Sequence, residues 1–173
     1  MADSAALLAF LSLQRGAELA MADRNTRALR SRGAFEIGAA HYPVMVALHA
    51  SWLVSLWLLG RNRALVPKFV VTFLALQAAR VWVLRTLGAR WTTRILILPD
   101  ERPVTGGPYR LLKHPNYAIV ALELPTVSLA VGLPRHALFF GLLNLWMIAW
   151  RIRVENAGWR NNRAVPNAEP SRS

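Results

Sequence analysis

The segment from Gly106 to Tyr117, GGPYRLLKHPNY, is a polar loop that leads directly into an apolar stretch. Its glycines and prolines favour a turn with a defined backbone, and its tyrosines, histidine and cations can stack, donate or accept hydrogen bonds. A second polar run, RIRVEN, occupies residues 151–156 after the last apolar stretch. These two segments are the strongest candidates for a chemical site.

Ionisable residues inside apolar stretches form a second group of candidates, because an unpaired charge is costly at membrane depth. Arg15 and Glu18 are spaced to pair on one helical face. Arg80 can pair with Glu18 across helices or line a functional site. Glu123 precedes Pro125, which frees a backbone carbonyl in the preceding turn and allows the helix to bend. A carboxylate beside such a bend is a site candidate.

Five apolar segments are expected to place these residues, and each has a length close to the roughly 20 residues that span a bilayer. They cover about 4–22, 41–60, 66–88, 117–132 and 134–150. Gly132 and Pro134 leave room only for a tight turn, so the last two segments should form a helical hairpin. We predict an all-α integral membrane protein with about five transmembrane helices.

The domain organisation follows from the same segments. Residues 1–160 form a single membrane domain, and the tail 161–173, which is rich in Asn, Pro and Ser, is predicted to be disordered. The first apolar segment lacks a basic start and a clear small-residue cleavage site, so it is expected to be a retained helix.

The distribution of Lys and Arg predicts the orientation of the helices. The chain is 54% hydrophobic with a formal net charge of +12, and its cations flank apolar runs, which is typical of a membrane protein rather than a nucleic-acid partner. Five crossings place fourteen cations on the side of loops 23–40 and 89–116 and the tail, against four opposite. We predict a plasma-membrane protein with its N-terminus outside and its C-terminus and site cytoplasmic.

Residue types also exclude some chemistry. The chain has no cysteine, which excludes a thiol nucleophile and a Cys-ligated zinc site. His41 and His49 are eight residues apart, unlike the spacing of three or four that is usual for a helical metal pair. We therefore predict no metal site.

Together, GPYRLLKHPNY, the helical hairpin and RIRVEN resemble the isoprenylcysteine carboxyl methyltransferase family of integral membrane methyltransferases. The resemblance covers about residues 88–160 and rests on joint spacing: Gly-x-Tyr-Arg, basic-His-Pro-x-Tyr, two helices and a Glu pair. Glu155 matches the first Glu, whereas Asn156 stands where the second is usual. The front half is similar to the short bacterial branch associated with type III polyketide synthases.

The resemblance implies an S-adenosylmethionine-dependent O-methyltransferase whose cofactor is bound by cytoplasmic loops and the last two helices. Aromatic rings would face the sulfonium or adenine, Arg110 or Arg151 would pair with the cofactor carboxylate, and Glu155 would pair with its ammonium. The implied cofactor-binding residues are Trp91, Tyr109, Arg110, His114, Pro115, Tyr117, Arg151, Glu155 and Asn156.

The implied acceptor is lipophilic and reaches the site from the lipid bilayer. It is either a prenylcysteine-type carboxylate or the hydroxyl of a long-chain alkylpyrone or alkylresorcinol. A carboxylate needs only orientation, for which Arg80 and Arg153 are candidates, whereas a hydroxyl of higher pKa benefits from a base such as Glu123, His114 or Glu155. Arg80, Glu123 and Arg153 are the catalytic candidates, and the sequence predicts no particular oligomeric state.

Two alternative functions fit parts of the sequence. Sterol reductases share the His-Pro-Asn-Tyr loop, which keeps an NADPH-dependent membrane reductase as an alternative, although Ala118-Ile119-Val120 follows where that pattern has a Gly-acidic pair. Gln77 and Arg80 on the third segment are also compatible with the polar solute path of a small, non-catalytic transporter subunit.

Overall fold

The computed structural model describes residues 3–99 and 101–164 of the chain. Within them the five predicted segments are five helices. They are α1 (Asp3–Ser31), α2 (His41–Gly60), α3 (Pro67–Leu87), α4 (Pro115–Ala130) and α5 (Pro134–Ala164). Short 3-10 helices at Gly88–Arg90 and Gly107–Arg110 and two-residue strands β1 (Phe35–Glu36) and β2 (Leu96–Ile97) lie in the connections. The predicted all-α membrane class is confirmed.

Four of these helices, α1, α2, α3 and α5, are long and apolar enough to cross a membrane. Helix α4 has 16 residues, which corresponds to about 24 Å. Its far end nevertheless reaches the α2–α3 connection, where Val66 N donates to Ala130 O at 2.8 Å. The start of α1 lies at the same end, because Ser4 Oγ donates to Arg61 O at 2.8 Å. The far end of α4, the α2–α3 connection and the start of α1 therefore lie at the same end of one helical bundle.

Helices α4 and α5 form the predicted hairpin. The turn between them depends on Gly132, whose φ of 69° is in the left-handed region that favours glycine. Pro134 is the first residue of α5, a position where its missing N–H and fixed φ are tolerated. Asn144 Nδ2 of α5 donates to Val120 O of α4 at 3.0 Å, which joins the two helices again nearer the other end of the bundle.

The apolar core occupies the half of the bundle near this hairpin turn. Burial of these side chains supplies packing contacts between all five helices. The buried members of the core are Leu8, Leu11, Trp52, Leu56, Phe73, Leu124, Val127, Val131 and Phe140.

The opposite end of the bundle carries the long connections. Strands β1 and β2 pair antiparallel, with Phe35 opposite Ile97 and Glu36 opposite Leu96. Ile97 is fully buried and packs beside Gly158 of α5, where a Cβ atom would lie 2.0 Å from Ile37 Cδ1. The connection between α3 and α4 is thus held against α5.

Helix α5 extends to Ala164, so its last residues enter the segment that was predicted to be a disordered tail. The rest of that predicted tail, residues 165–173, lies outside the described residues.

Candidate functional site

A cavity of about 590 Å³ opens at the end of the bundle that carries the connections. Its walls are the end of α3, the connection from 88 to 114, the start of α4 and the second half of α5. Most of the predicted cofactor-binding residues line it, whereas Arg110 and Pro115 do not. Those that do are Trp91, Tyr109, His114, Tyr117, Arg151, Glu155 and Asn156.

One wall of the cavity is built where the start of α4 faces α5. Pro115 is the first residue of α4, which places His114 just outside the helix and Tyr117 within its first turn. Tyr117 Oη donates to Glu155 Oε2 at 2.7 Å, and His114 Nδ1 lies 3.8 Å from Glu155 Oε1. Lys113 Nζ donates to the amide oxygen of Asn156 at 2.7 Å. The two polar segments identified in the sequence are therefore in direct contact.

Arg151 lies one turn before Glu155 on the same face of α5. Its guanidinium is buried and donates to His41 Nε2 at 3.1 Å and to Thr93 O at 2.9 Å. It also lies 5.6 Å from the ring centroid of Tyr117. Arg151 thus joins α2, the α3–α4 connection and α5, and its predicted role as a carboxylate partner stays a prediction.

Three buried polar atoms on the cavity residues have no hydrogen-bond partner among the described residues. They are Trp91 Nε1, His114 Nε2 and Asn116 Oδ1. Buried polar atoms are normally paired, so this group of three is suited to a polar ligand. Asn116 was missed in the sequence, where it occupies the variable position of the His-Pro-x-Tyr motif.

Tyr109 is positioned by the packing of its 3-10 helix against α3. Gly107 has a φ of 55°, and a Cβ atom there would lie 2.5 Å from Thr86 Oγ1, so only glycine allows this approach. Burial, and after it the negative charge of Glu155, raises the pKa of Tyr109 to about 12. Its phenol is therefore protonated at neutral pH and can donate a hydrogen bond or present its ring.

The predicted catalytic residues lie elsewhere. Arg153 is exposed on α5 and does not line the cavity. Arg80 and Glu123 lie seven residues along their helices from the cavity residues Leu87 and Asn116, which is about 10 Å towards the hairpin end. The catalytic role of all three residues stays a prediction.

Glu123 is fully buried, and both of its carboxylate oxygens have partners. Oε2 contacts the guanidinium groups of Arg15 and Arg80, and Oε1 accepts from Gln77 Nε2 at 2.8 Å. The α1, α3 and α4 helices are therefore connected through one carboxylate.

Glu18 completes this group. It pairs with Arg15 at 2.6 Å, as the sequence predicted, and with Arg80 at 3.5 Å, which is one of the two alternatives considered for Arg80. We call Arg15, Glu18, Gln77, Arg80 and Glu123 the intramembrane polar cluster. Its two arginines balance its two glutamates, as buried ion pairs require.

The bundle and its polar cavity define a helical membrane protein with a ligand-sized site at one end. Residues 69–159 match the isoprenylcysteine carboxyl methyltransferase (ICMT) family, and the chain belongs to this family of membrane methyltransferases. It is 34% identical over 163 residues to the uncharacterized protein YpbQ of Bacillus subtilis (strain 168), covering 87% of this chain and 92% of YpbQ. No solved structure matches the chain.

Proposed function

We propose that this chain is a membrane-embedded, S-adenosylmethionine-dependent O-methyltransferase that acts on a lipophilic acceptor. The observation that carries the proposal is the cavity, which joins Glu155, aromatic rings and three unpartnered polar atoms on the segments that match the family.

The chemistry of the cavity residues fits this cofactor. Glu155 supplies the carboxylate that an ammonium requires, and the rings of Tyr109, Tyr117 and Trp91 can face a sulfonium or adenine, an attraction worth on the order of 1 kcal/mol. Asn116 Oδ1 and Trp91 Nε1 are available to the polar edge of a base. When bound, S-adenosylmethionine would supply an activated methyl group for transfer to an acceptor oxygen, with S-adenosylhomocysteine as the leaving group.

The residues around the cavity would then align the acceptor and exclude water. A carboxylate acceptor is already ionised and needs only orientation. A hydroxyl acceptor needs a base, and His114 is the best-placed residue because its Nε2 has no partner while Glu155 lies beside its Nδ1. Glu123 is a weaker candidate because its oxygens are engaged in the intramembrane polar cluster.

The acceptor is proposed to be a prenylcysteine-type carboxylate or the hydroxyl of a long-chain alkylpyrone or alkylresorcinol. We propose that such a molecule approaches from the bilayer, since exposed large apolar side chains such as Leu58 and Val71 mark the outside of the bundle as a lipid-facing surface. The excess of Lys and Arg at the cavity end supports a cytoplasmic site, with the N-terminus outside the plasma membrane.

Mass spectrometry of membrane lipids from cells with and without the gene tests this activity. We expect lipid species that are heavier by one methyl group only when the wild-type chain is present, and their loss in cells that carry His114→Ala. Arg135→Gln, at the hairpin end of α5, is the matched control and should retain them. Identical lipid profiles with and without the gene would contradict the proposal.

A further inference from the structure

The cations of the cavity differ in their partners. Arg90 lies 3.2 Å from a carboxylate oxygen of Glu101, and Arg94 lies 2.7 Å from one of Glu36. Lys113 has no carboxylate partner among the described residues, and its Nζ contacts only the neutral amide oxygen of Asn156. Its charge is therefore uncompensated at the cavity wall.

Asn156 provides a hydrogen-bond donor at the cavity wall, which a glutamate there could not provide. Its Oδ1 accepts from Lys113, and its Nδ2 has no hydrogen-bond partner among residues 4–99 and 101–160. A carboxylate at the same place would only accept, and it would neutralise Lys113. The Asn that departs from the family's usual Glu pair thus leaves an ammonium and an amide N–H beside each other.

The contact between His114 and Glu155 instead contributes a negative charge. Glu155 precedes Asn156 on α5, and His114 follows Lys113 in the loop, so consecutive residues of the same two segments form the anionic and the cationic contact. An α-amino acid carries its ammonium and carboxylate on the same carbon, and it therefore requires two such neighbouring positions.

We infer that Lys113 and Asn156 form a carboxylate subsite that binds the amino-acid end of the cofactor, with its ammonium at Glu155. The inference rests on the proposed function and adds to it the residues that select a zwitterionic ligand. It also replaces Arg110 and Arg151 as the carboxylate partner, because Arg110 does not line the cavity and both terminal nitrogens of Arg151 already donate to His41, Met45 and Thr93.

Calorimetry on the detergent-solubilised full chain can test this subsite with three ligands. S-adenosylhomocysteine carries both groups, S-adenosyl-3-thiopropylamine lacks only the carboxylate, and 5′-methylthioadenosine lacks both. We expect Lys113→Gln and Asn156→Asp each to weaken S-adenosylhomocysteine binding about tenfold, because a charge-assisted contact is lost. Binding of the other two ligands should change by less than about twofold.

Lys113→Arg and Arg85→Gln are the matched controls. The first keeps the cation and should retain most of the affinity, and the second removes an exposed cation at the end of α3 that does not line the cavity. Since Lys113 is exposed, its replacement should fold even if Asn156→Asp does not.

Two results would overturn the carboxylate subsite. One is an unchanged affinity of Lys113→Gln for S-adenosylhomocysteine, and the other is an equal loss for all three ligands, which indicates a general distortion of the cavity. A wild-type chain that binds neither S-adenosylhomocysteine nor 5′-methylthioadenosine would instead remove the proposed function itself.

Discussion

The cavity and the intramembrane polar cluster are both polar, but their charges are arranged differently. In the cluster, two arginines balance two glutamates, and both oxygens of Glu123 have partners. In the cavity, Glu155 is outnumbered by cations, and polar atoms of Trp91, His114 and Asn116 are unpartnered. The balanced group therefore holds helices together, whereas the unbalanced group has the capacity to bind a ligand.

Removal of the central carboxylate of the cluster should have the largest effect. Glu123→Ala leaves Glu18 as the remaining carboxylate for both Arg15 and Arg80, and breaking a buried ion pair in this way costs about 3–5 kcal/mol. We expect a large fall in the thermal unfolding temperature in detergent and poor accumulation in membranes.

The milder variant Glu123→Gln decides whether this residue also has a catalytic role. If it unfolds at a lower temperature but the folded fraction transfers methyl groups at the wild-type rate, the cluster is structural. A variant with normal stability and no methyl transfer would instead show that the intramembrane polar cluster takes part in catalysis.

Loss of the proposed base should affect turnover rather than stability. His114→Ala is expected to lower methyl transfer to a hydroxyl acceptor about a hundredfold, the lower range for general base catalysis. The unfolding temperature should change little, because His114 lies at a helix start with an unpartnered Nε2. Single-turnover measurements at saturating acceptor can check this, and an unchanged rate would exclude His114 as the base.

The sequence predicted the helices better than their contacts. Apolar lengths gave the five segments, and the Gly and Pro residues between the last two gave the hairpin, because both signals are local. The spacing of the family motif likewise predicted most of the cavity wall. The resemblance could not separate Tyr109, which lines the cavity, from its exposed neighbour Arg110, since their directions depend on how the 3-10 helix packs against α3.

Contacts from α1 were the least predictable part of the site. The sequence showed that Arg15 and Glu18 can pair, but not that Arg15 also reaches Glu123 on α4. No sequence pattern indicated the contact of Asn25, whose side chain is buried and donates to Trp91 O at 2.8 Å. Such contacts depend on which helix faces meet, and one polar residue in α1 carries no local signal of its distant partner.

The Asn25 contact gives the smallest expected effect. Asn25→Ala leaves the carbonyl of Trp91 without this donor, which costs about 1–2 kcal/mol and loosens the segment that carries an unpartnered indole N–H. We expect S-adenosylhomocysteine affinity to fall by about threefold, with a modest loss of thermal stability. Affinity equal to that of the wild type would show that α1 does not position the cavity.

The most direct test of the central claim is calorimetry of S-adenosylhomocysteine binding to the purified wild-type chain and to Glu155→Gln. Asp23→Asn, which changes an exposed acid near the same end of the bundle, is the control. We predict one saturable site in the wild type and the control, and an affinity about tenfold weaker in Glu155→Gln because an ammonium loses its carboxylate. No binding by the wild type, or equal affinity in all three proteins, would contradict the assignment of the cavity as the cofactor site.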